Sequence, residues 1–533
     1  MSPETLLLLA LGALVVIAGV RWIGERTGLP AAALLPVIGI IYALLPGPNI
    51  SLDPHIVLTF ILPPLLYSAA LDSSLLAIRA NLRIVIGLSV LLVFATALLI
   101  GAGFALFVTG ATLAAGVAVG AAVAPPDPVA ALAVGRKVGL PPRLITIIQG
   151  EGLLNDATAL TVLNVAVAAA VGGHFSVPGA GGLFLLAAAG GTAVGVVVAY
   201  AVRLVRPIAK DALLANAVSL ATPFVAYLAG EALHVSGVLA VVVAGLIVGH
   251  DTPRSGTGAS RLQTSAVWRF VDFLLEGLVF LLIGQQLPAV LRGLRQYGIW
   301  TVVIAIAVSV GVTLLLRPVW LTLTQAMHLL LRREDEGLAR REIAALSWAG
   351  TRGVISLAAV FTIPLTTDAG EPFPDRDLLL FCTFVVVLVT LVGQGLTFAP
   401  LVRALGLRAN EVDEALMRNE ARIASVHAAL DRLDDLDQDE PADAPAIEAL
   451  RTRLQERLRR YEHRLDLLQS AESDELPVSE RYEAALRIRR LAIEAQREEL
   501  LRRRDAGALP DEALRRLERE LDHEERVLPD RPR

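Results

Sequence analysis

The chain of 533 residues is 55% hydrophobic and 19% charged, with a formal net charge of −5. This composition excludes an ordinary soluble protein of this length, and the small net charge does not suggest a nucleic-acid partner. The charged residues are concentrated in residues 404–533, whereas residues 1–403 are a succession of long apolar stretches. The sequence therefore predicts an all-α polytopic membrane domain over 1–403 and a charged, cytoplasmic helical tail over 404–533.

About thirteen stretches are apolar enough to cross a bilayer as helices, which takes roughly 20 residues each. We place them at about 5–22, 29–46, 55–72, 83–108, 112–134, 143–171, 180–206, 211–229, 234–250, 268–290, 298–330, 342–364 and 376–403. The first stretch is not followed by a small-residue cleavage site, so we interpret it as a retained span rather than a signal peptide.

The loops between the predicted spans alternate in basic charge. Alternate loops carry Arg21 and Arg26, Arg79 and Arg83, Arg136, Lys137 and Arg143, Arg203, Arg206 and Lys210, Arg254, Arg261 and Arg269, and Arg332, Arg333, Arg340 and Arg341. The exceptions are Arg292, Arg295 and Arg376. Because basic loops stay in the cytoplasm, we predict a multi-pass protein of the plasma (inner) membrane with its N-terminus outside and its tail in the cytoplasm.

Two of the predicted spans are interrupted. The fifth contains Ala-Pro-Pro-Asp-Pro at 124–128, and the twelfth contains Gly-Thr-Arg-Gly at 350–353. Proline removes a backbone donor and clashes with the preceding turn, and broken helices persist in a membrane only where protein or a water-filled cavity satisfies the freed groups. Breaks in corresponding parts of two halves predict inverted repeats, with interrupted helices that cross at the midplane around a transport site.

The sixth span carries Glu151, Asn155 and Asp156 within an otherwise apolar run. An ionisable group at that depth costs about 2.5–3.5 kcal/mol on insertion scales and usually marks a functional site. We therefore favour Asp156 as the place where a proton and a metal cation compete, over a purely structural buried carboxylate. Asp127, at the break of the fifth span, has two open roles, membership of this site or capping of the second half-helix.

Arg352 lies deep in the twelfth span, so it needs a buried carboxylate partner unless it snorkels to the surface. We predict Glu151 as that partner. Asp272 and Glu276 in the tenth span are weaker candidates, because their segment is compatible with a solvated position near an interface. The chain has no spacing typical of a metalloenzyme and no phosphate-binding glycine loop. These features disfavour ATP-driven pumping, and no cofactor is expected.

Four segments resemble motifs of the sodium/proton exchanger family (bacterial NhaP/NHE-like), in matching order and separation. They are Gly-Glu-Gly-Leu-Leu-Asn-Asp-Ala at 150–157, Asp-Pro-Val-Ala at 127–130, Gly-Thr-Arg-Gly-Val-Ile-Ser at 350–356 and Leu-Pro-Pro-Leu-Leu at 62–66. The resemblance covers about 5–403. It implies a homodimer of thirteen-span subunits in which a core domain moves like an elevator and exchanges Na⁺, with K⁺ or Li⁺ left open, for a proton.

The resemblance also implies roles for individual residues. Asp156 would be the shared carrier of ion and proton, with Asn155 beside it and Pro126 offering a backbone carbonyl. Glu151 and Arg352 would form a supporting ion pair. This chain departs from the family at two positions: Gly152 replaces a serine that is a ligand in relatives, and Ser68 replaces an acidic residue of some members. A hydroxyl and a water could replace these ligands.

One titrating carboxylate per cycle suggests electroneutral, one-for-one exchange. The alternatives are a cation channel that uses the same carboxylate and, from a different class, an intramembrane enzyme.

In the tail, apolar residues recur at steps of three and four between 447 and 468, as in a coiled coil. This pattern is compatible with a regulatory or dimer-stabilising bundle and with a solvated helical extension.

Overall fold

The computed structural model describes residues 2–45, 54–172, 177–208, 211–254, 257–330, 337–439, 444–470, 480–526 and 528. The chain divides into two compact units, Met1–Arg408 and Ala409–Arg533. In the described residues both units are built from helices. An isolated β-bridge joins Thr366 to Pro372 in the first unit.

The described residues of the first unit begin with seven helices. They are α1 (Pro3–Thr27), α2 (Ala31–Leu44), α3 (Pro54–Ile56), α4 (Leu62–Leu71), α5 (Leu75–Ala80), α6 (Leu82–Ile86) and α7 (Leu92–Phe107). A π-helical turn at Val57–Ile61 connects α3 to α4, and another at Gly87–Leu91 connects α6 to α7. Each pair therefore continues as one long apolar helix.

The middle and end of the first unit contain thirteen further helices in the described residues. They are α8 (Leu113–Val123), α9 (Pro128–Lys137), α10 (Pro142–Val171), α11 (Val177–Val205), α12 (Ala212–Ala232), α13 (Gly237–Asp251), α14 (Gly258–Gln285), α15 (Leu287–Arg292), α16 (Ile299–Leu330), α17 (Arg340–Trp348), α18 (Val354–Phe361), α19 (Arg376–Leu388) and α20 (Gly395–Ala404). Turns of 3₁₀-helix follow α13 at Thr252–Arg254 and α15 at Gly293–Gln296, and a π-helical turn at Val389–Gln394 joins α19 to α20.

Ten helical segments among the described residues are long and apolar enough to cross a bilayer. They are Pro3–Thr27, Pro54–Leu71, Leu82–Phe107, Leu113–Lys137, Pro142–Val171, Gly181–Val205, Ala212–Ala232, Gly237–Arg254, Ile299–Met327 and Arg376–Ala404. Large apolar side chains on their outer faces, such as Leu8, Leu185 and Trp300, are exposed, as expected where a surface faces lipid. The protein is a multi-pass membrane protein; the number of thirteen crossings stays a prediction.

Both predicted interruptions are confirmed. Helix α8 ends at Val123 and α9 begins at Pro128, and α17 ends at Trp348 before α18 begins at Val354. Pro128 occupies the first turn of α9, where a missing N–H removes no helical hydrogen bond. The proline-rich segment thus ends one helix and starts the next instead of kinking a continuous one.

Two helices fix the position of the candidate site. The long helix α10 runs through the interior and packs against α8 and α9. Helix α14 packs closely on α2, because glycines at the crossing let the two backbones approach. A Cβ added to Gly39 would lie 2.2 Å from the carbonyl oxygen of Leu281, and one added to Gly284 would lie 2.1 Å from that of Pro36.

The second unit consists of four helices in its described residues. They are α21 (Glu411–Asp439), α22 (Ala444–Gln469), α23 (Glu480–Asp505) and α24 (Asp511–Arg526). Helix α21 packs on α22, and α23 packs on α24. The predicted apolar positions Ile447 and Leu468 are buried on α22, and the Asn419 amide donates to the Tyr461 carbonyl at 2.6 Å.

Candidate functional site

The two breaks meet at Asp127 and Thr351. The backbone N–H of Asp127 donates to the carbonyl oxygen of Thr351 at 2.6 Å, and the Thr351 hydroxyl donates to the carbonyl oxygen of Asp127 at 2.8 Å. These bonds satisfy backbone groups that the interrupted helices leave free. The two non-helical segments between the half-helices therefore support each other.

Arg352 binds the end of the half-helix α8. Its guanidinium donates to the carbonyl oxygens of Val123 at 2.8 Å and Ala124 at 3.2 Å, and also to that of Gly350. A helix C-terminus carries partial negative charge and unpaired carbonyls, so a buried cation is stabilised there. Arg352 is thus held by backbone oxygens and caps the first half of the broken span.

Asp127 caps the other half-helix. Its Oδ1 accepts a hydrogen bond from the Val129 N–H at 2.9 Å, which makes Asp127 the N-cap of α9. The same side chain lines the cavity described below. Both roles proposed for Asp127 from the sequence are therefore compatible with its position.

Asn155 ties α10 to the break. Its side-chain amide donates to the Pro126 carbonyl at 2.9 Å, and the residue is 0% exposed. The other side-chain atom, Oδ1, has no hydrogen-bond partner. Asn155 and the Pro126 carbonyl are therefore adjacent, and the carbonyl that the resemblance offers to the ion already accepts a hydrogen bond.

Asp156 lies on the wall of a cavity of about 260 Å³ and is 4% exposed. The predicted residues Asp127, Pro126 and Ser68 line the same cavity. Its wall also includes Arg136, an exposed residue on the side of the predicted basic loops. The cavity therefore connects the buried carboxylate of Asp156 with the protein surface, and Asp156 faces protein rather than lipid.

The predicted ion pair between Glu151 and Arg352 is wrong. Arg317 of α16 forms a two-pronged pair with Glu151, with one arm, Nη2 to Oε2, at 2.8 Å. Arg317 also donates from Nε to the Leu346 carbonyl at 2.7 Å. Glu151 and Arg317 are 1% and 2% exposed, so the pair is shielded from solvent. Arg352 is not the partner of Glu151 because backbone carbonyls already occupy its guanidinium.

Arg317 could have been found from the sequence. It stands between Leu-Leu-Leu and Pro-Val-Trp in the eleventh predicted span. An arginine enclosed by apolar residues needs a buried partner, and this criterion singled out Arg352. Applied to every span, it would have given two candidate arginines for one buried glutamate.

The two departures from the family motifs have different structural settings. At Gly152 there is no room for a side chain, because an added Cβ would lie 2.5 Å from Cγ of Pro128. Ser68 is buried and donates its hydroxyl to Oδ2 of Asp272 at 2.6 Å. Asp272 and Glu276 both line the cavity, so they belong to its wall, although the sequence suggested a solvated interface.

The sequence profile described as the transmembrane domain of sodium/hydrogen exchangers matches residues 10–404. The chain belongs to the sodium/hydrogen exchanger family. An uncharacterized Na⁺/H⁺ exchanger of Mycobacterium tuberculosis is 33% identical over 529 residues, which cover 97% of this chain and 95% of the relative. The predicted family is therefore confirmed.

Other members resemble this exchanger over smaller parts. A sodium, potassium, lithium and rubidium/H⁺ antiporter of Bacillus pumilus is 31% identical and aligns with 68% of this chain and 56% of its own length. The solved structure of the sodium proton antiporter MjNhaP1 from Methanocaldococcus jannaschii has a TM-score of 0.59 at 20% identity. The match covers 75% of this chain and 99% of the archaeal protein, and it supports the same fold.

Gly353 allows Asp127 to take its position, which gives a prediction. A Cβ at Gly353 would lie 1.8 Å from Oδ2 of Asp127. Gly353→Ala should therefore displace the carboxylate, reduce cation-driven proton movement at least tenfold and destabilise the fold by about 1–3 kcal/mol, as overpacking does. Transport rates and melting temperatures would be compared with those of Gly311→Ala in α16, where an added Cβ meets nothing within 4 Å. Equal behaviour of the two variants would contradict the prediction.

Proposed function

We propose that this exchanger is a secondary antiporter that moves Na⁺, or another alkali cation such as K⁺ or Li⁺, in exchange for a proton. Asp156 is the carrier of both. The observation that carries the proposal is the position of Asp156, nearly buried in the long helix α10 yet on the wall of a cavity that reaches the surface. A transporter needs a carboxylate that is shielded from bulk water and a path by which the ion can reach it from solution.

The competition between proton and cation at Asp156 follows from the free-energy cost of an uncompensated buried charge. A carboxylate in a shielded, low-dielectric place is unfavourable unless a proton neutralises it or a cation pairs with it. The two ligands therefore exclude each other at Asp156. Neutral Asn155 holds the break through Pro126 and adds no charge. Of the carboxylates on the cavity wall, Asp156 is the one that we propose exchanges a proton for a cation in each cycle. This supports electroneutral exchange of one cation for one proton.

Alternating access is part of the proposal. The broken helices and α10 would move together as a core, elevator-like, against a homodimer scaffold, because hydrogen bonds through Thr351 and Asn155 link the two breaks to each other and to α10. The thirteen crossings of the proposed topology require α2, α14 and the pair α17–α18 to cross in addition to the ten apolar segments. An odd number of crossings places the two termini on opposite sides of the plasma membrane, and the basic loops assign the N-terminus to the outside and the tail to the cytoplasm.

The cation preference is proposed from relatives. The Bacillus relative is named for sodium, potassium, lithium and rubidium, whereas an Aphanothece halophytica relative, 29% identical over 463 residues, is named a Na⁺/H⁺ antiporter. Na⁺ is common to both names. We therefore propose Na⁺ as a substrate and the other alkali ions as ions to test.

The test uses the full chain in sealed proteoliposomes that contain a pH-sensitive dye. An imposed Na⁺ gradient should move protons in the opposite direction, with no added cofactor and no dependence on membrane potential. The same assay with K⁺, Li⁺ and Rb⁺ gives the selectivity. Cation conductance without proton movement would indicate a channel, and cleavage of a substrate in the absence of transport would indicate an enzyme; either result would overturn the proposal.

A further inference from the structure

Asp272 of α14 has one bound and one free carboxylate oxygen. Oδ2 accepts the hydrogen bond from Ser68, while Oδ1 is shielded from solvent and has no hydrogen-bond partner. Leaving a shielded carboxylate oxygen without a partner costs free energy. The Ser68 hydroxyl fixes the orientation of the carboxylate, so the free oxygen is presented in a defined direction.

Other side chains with oxygen atoms lie on the same cavity wall as Asp272. Glu276 lies one turn further along α14, on the same helix face, and it lines the same cavity as Asp156. Ser356 of α18 also lines that cavity; it is 1% exposed, and its hydroxyl has no hydrogen-bond partner. The cavity thus combines carboxylates with an unused hydroxyl, and oxygen atoms of this kind are the ligands that hard cations prefer.

The charged residues that line two neighbouring cavities indicate which of them a cation would use to reach Asp272. Ser68, Asp72 and Asp272 line both this cavity and a second one of about 700 Å³. The second cavity is also lined by five arginines, Arg203, Arg206, Arg254, Arg261 and Arg269. Clustered positive charge disfavours a cation. In the described residues, the wall of the first cavity has one arginine, Arg136, and five acidic residues, Asp72, Asp127, Asp156, Asp272 and Glu276. The first cavity is therefore the favourable path between solution and Asp272.

We infer that Asp272 binds the monovalent cation on its way between solution and Asp156, and that Ser68 is the residue that positions Asp272. This inference rests on the proposed function. Ser68 carries only a hydroxyl at a position where some members of the family carry an acidic residue. In this chain Asp272 of α14 supplies a carboxylate next to that position. A purely structural role, in which the bond joins α4 to α14, predicts a change in stability without a change in cation affinity.

Removal of the Asp272 charge tests the inference. Asp272→Asn should raise the KM for Na⁺ about five- to tenfold, as expected for the loss of one partly screened charge, and leave the maximal rate within about twofold. Asp272→Glu should restore part of the affinity. Ser68→Ala should raise KM in the same direction by a smaller factor, and the double variant should be no worse than Asp272→Asn alone, because Ser68 acts through Asp272.

The control is Asp251→Asn, which removes a carboxylate from the second cavity only and should leave the KM for Na⁺ unchanged. A second readout does not need transport: the Na⁺ concentration that half-saturates the thermal stabilisation of purified protein. It should rise about fivefold in Asp272→Asn. If Na⁺ stabilises wild type and Asp272→Asn raises the half-saturating concentration, but wild type shows no exchange, the proposed function fails and Na⁺ binding at Asp272 still stands.

Three results would overturn the inference. One is an unchanged half-saturating Na⁺ concentration in Asp272→Asn. Another is a lower maximal rate and a lower melting temperature with an unchanged KM, which would assign the Ser68–Asp272 bond to structure. The third is a wild-type protein that Na⁺ does not stabilise.

Discussion

Asp156→Asn is expected to abolish cation-driven proton movement in proteoliposomes. The amide is close to the carboxyl in size but can neither bind and release a proton nor carry the charge that pairs with a cation. We expect a rate indistinguishable from that of empty vesicles, for Na⁺ as well as for K⁺, Li⁺ and Rb⁺. Exchange at the wild-type rate would show that another group carries the proton.

Folding must be separated from transport in this experiment. A neutral amide costs less to bury than a carboxylate, so Asp156→Asn should melt at the wild-type temperature or above. Na⁺ should raise the melting temperature of wild type, because a ligand that binds only the folded state stabilises it. The variant should respond less, because Asp156 no longer pairs with the cation while Asp272 is intact. Asp211→Asn is the matched control, because Asp211 is exposed and its side chain makes no cap hydrogen bond in α12.

The sequence predicted the local features of the site well, because their causes are local. Three prolines within four residues stop a helix wherever they occur, so the break before Pro128 needed no knowledge of neighbours. The cost of a charge in an apolar run singled out Asp156, which is buried on the cavity wall; its role as the carrier stays a prediction. Apolar stretches long enough to cross a bilayer were recognised in the same way, and ten such helices lie in the described residues.

Contacts between distant parts of the chain were not predictable. The sequence shows that Glu151 needs a buried cation, but Arg317, 166 residues away, and Arg352 satisfy that need equally until the helices are packed. The bond between Ser68 and Asp272 spans 204 residues and has no local signature. The Pro128 ring beside Gly152 likewise results from how α9 packs on α10.

Among the variants proposed for this protein, Arg317→Met is expected to lower the free energy of unfolding the most. The substitution leaves Glu151 as an uncompensated charge in the interior, and breaking a buried pair in this way costs about 3–5 kcal/mol. We expect a strongly lowered melting temperature and a reduced yield of monodisperse protein. Arg203→Met is the control, because Arg203 pairs with Asp251 at 3.8 Å and is 70% exposed; such a surface pair contributes about 0–1 kcal/mol.

A double-mutant cycle distinguishes the two arginines. Glu151→Gln removes the charge that Arg317→Met leaves unpaired, so the double variant should recover part of the lost stability, with a coupling energy of about 1–3 kcal/mol. The cycle between Glu151→Gln and Arg352→Met should show weaker coupling, because Arg352 is bound to the carbonyls of Val123, Ala124 and Gly350. Stronger coupling to Arg352 than to Arg317 would mean that Glu151 pairs with Arg352 in the protein, and the assignment of the buried ion pair would then be reversed.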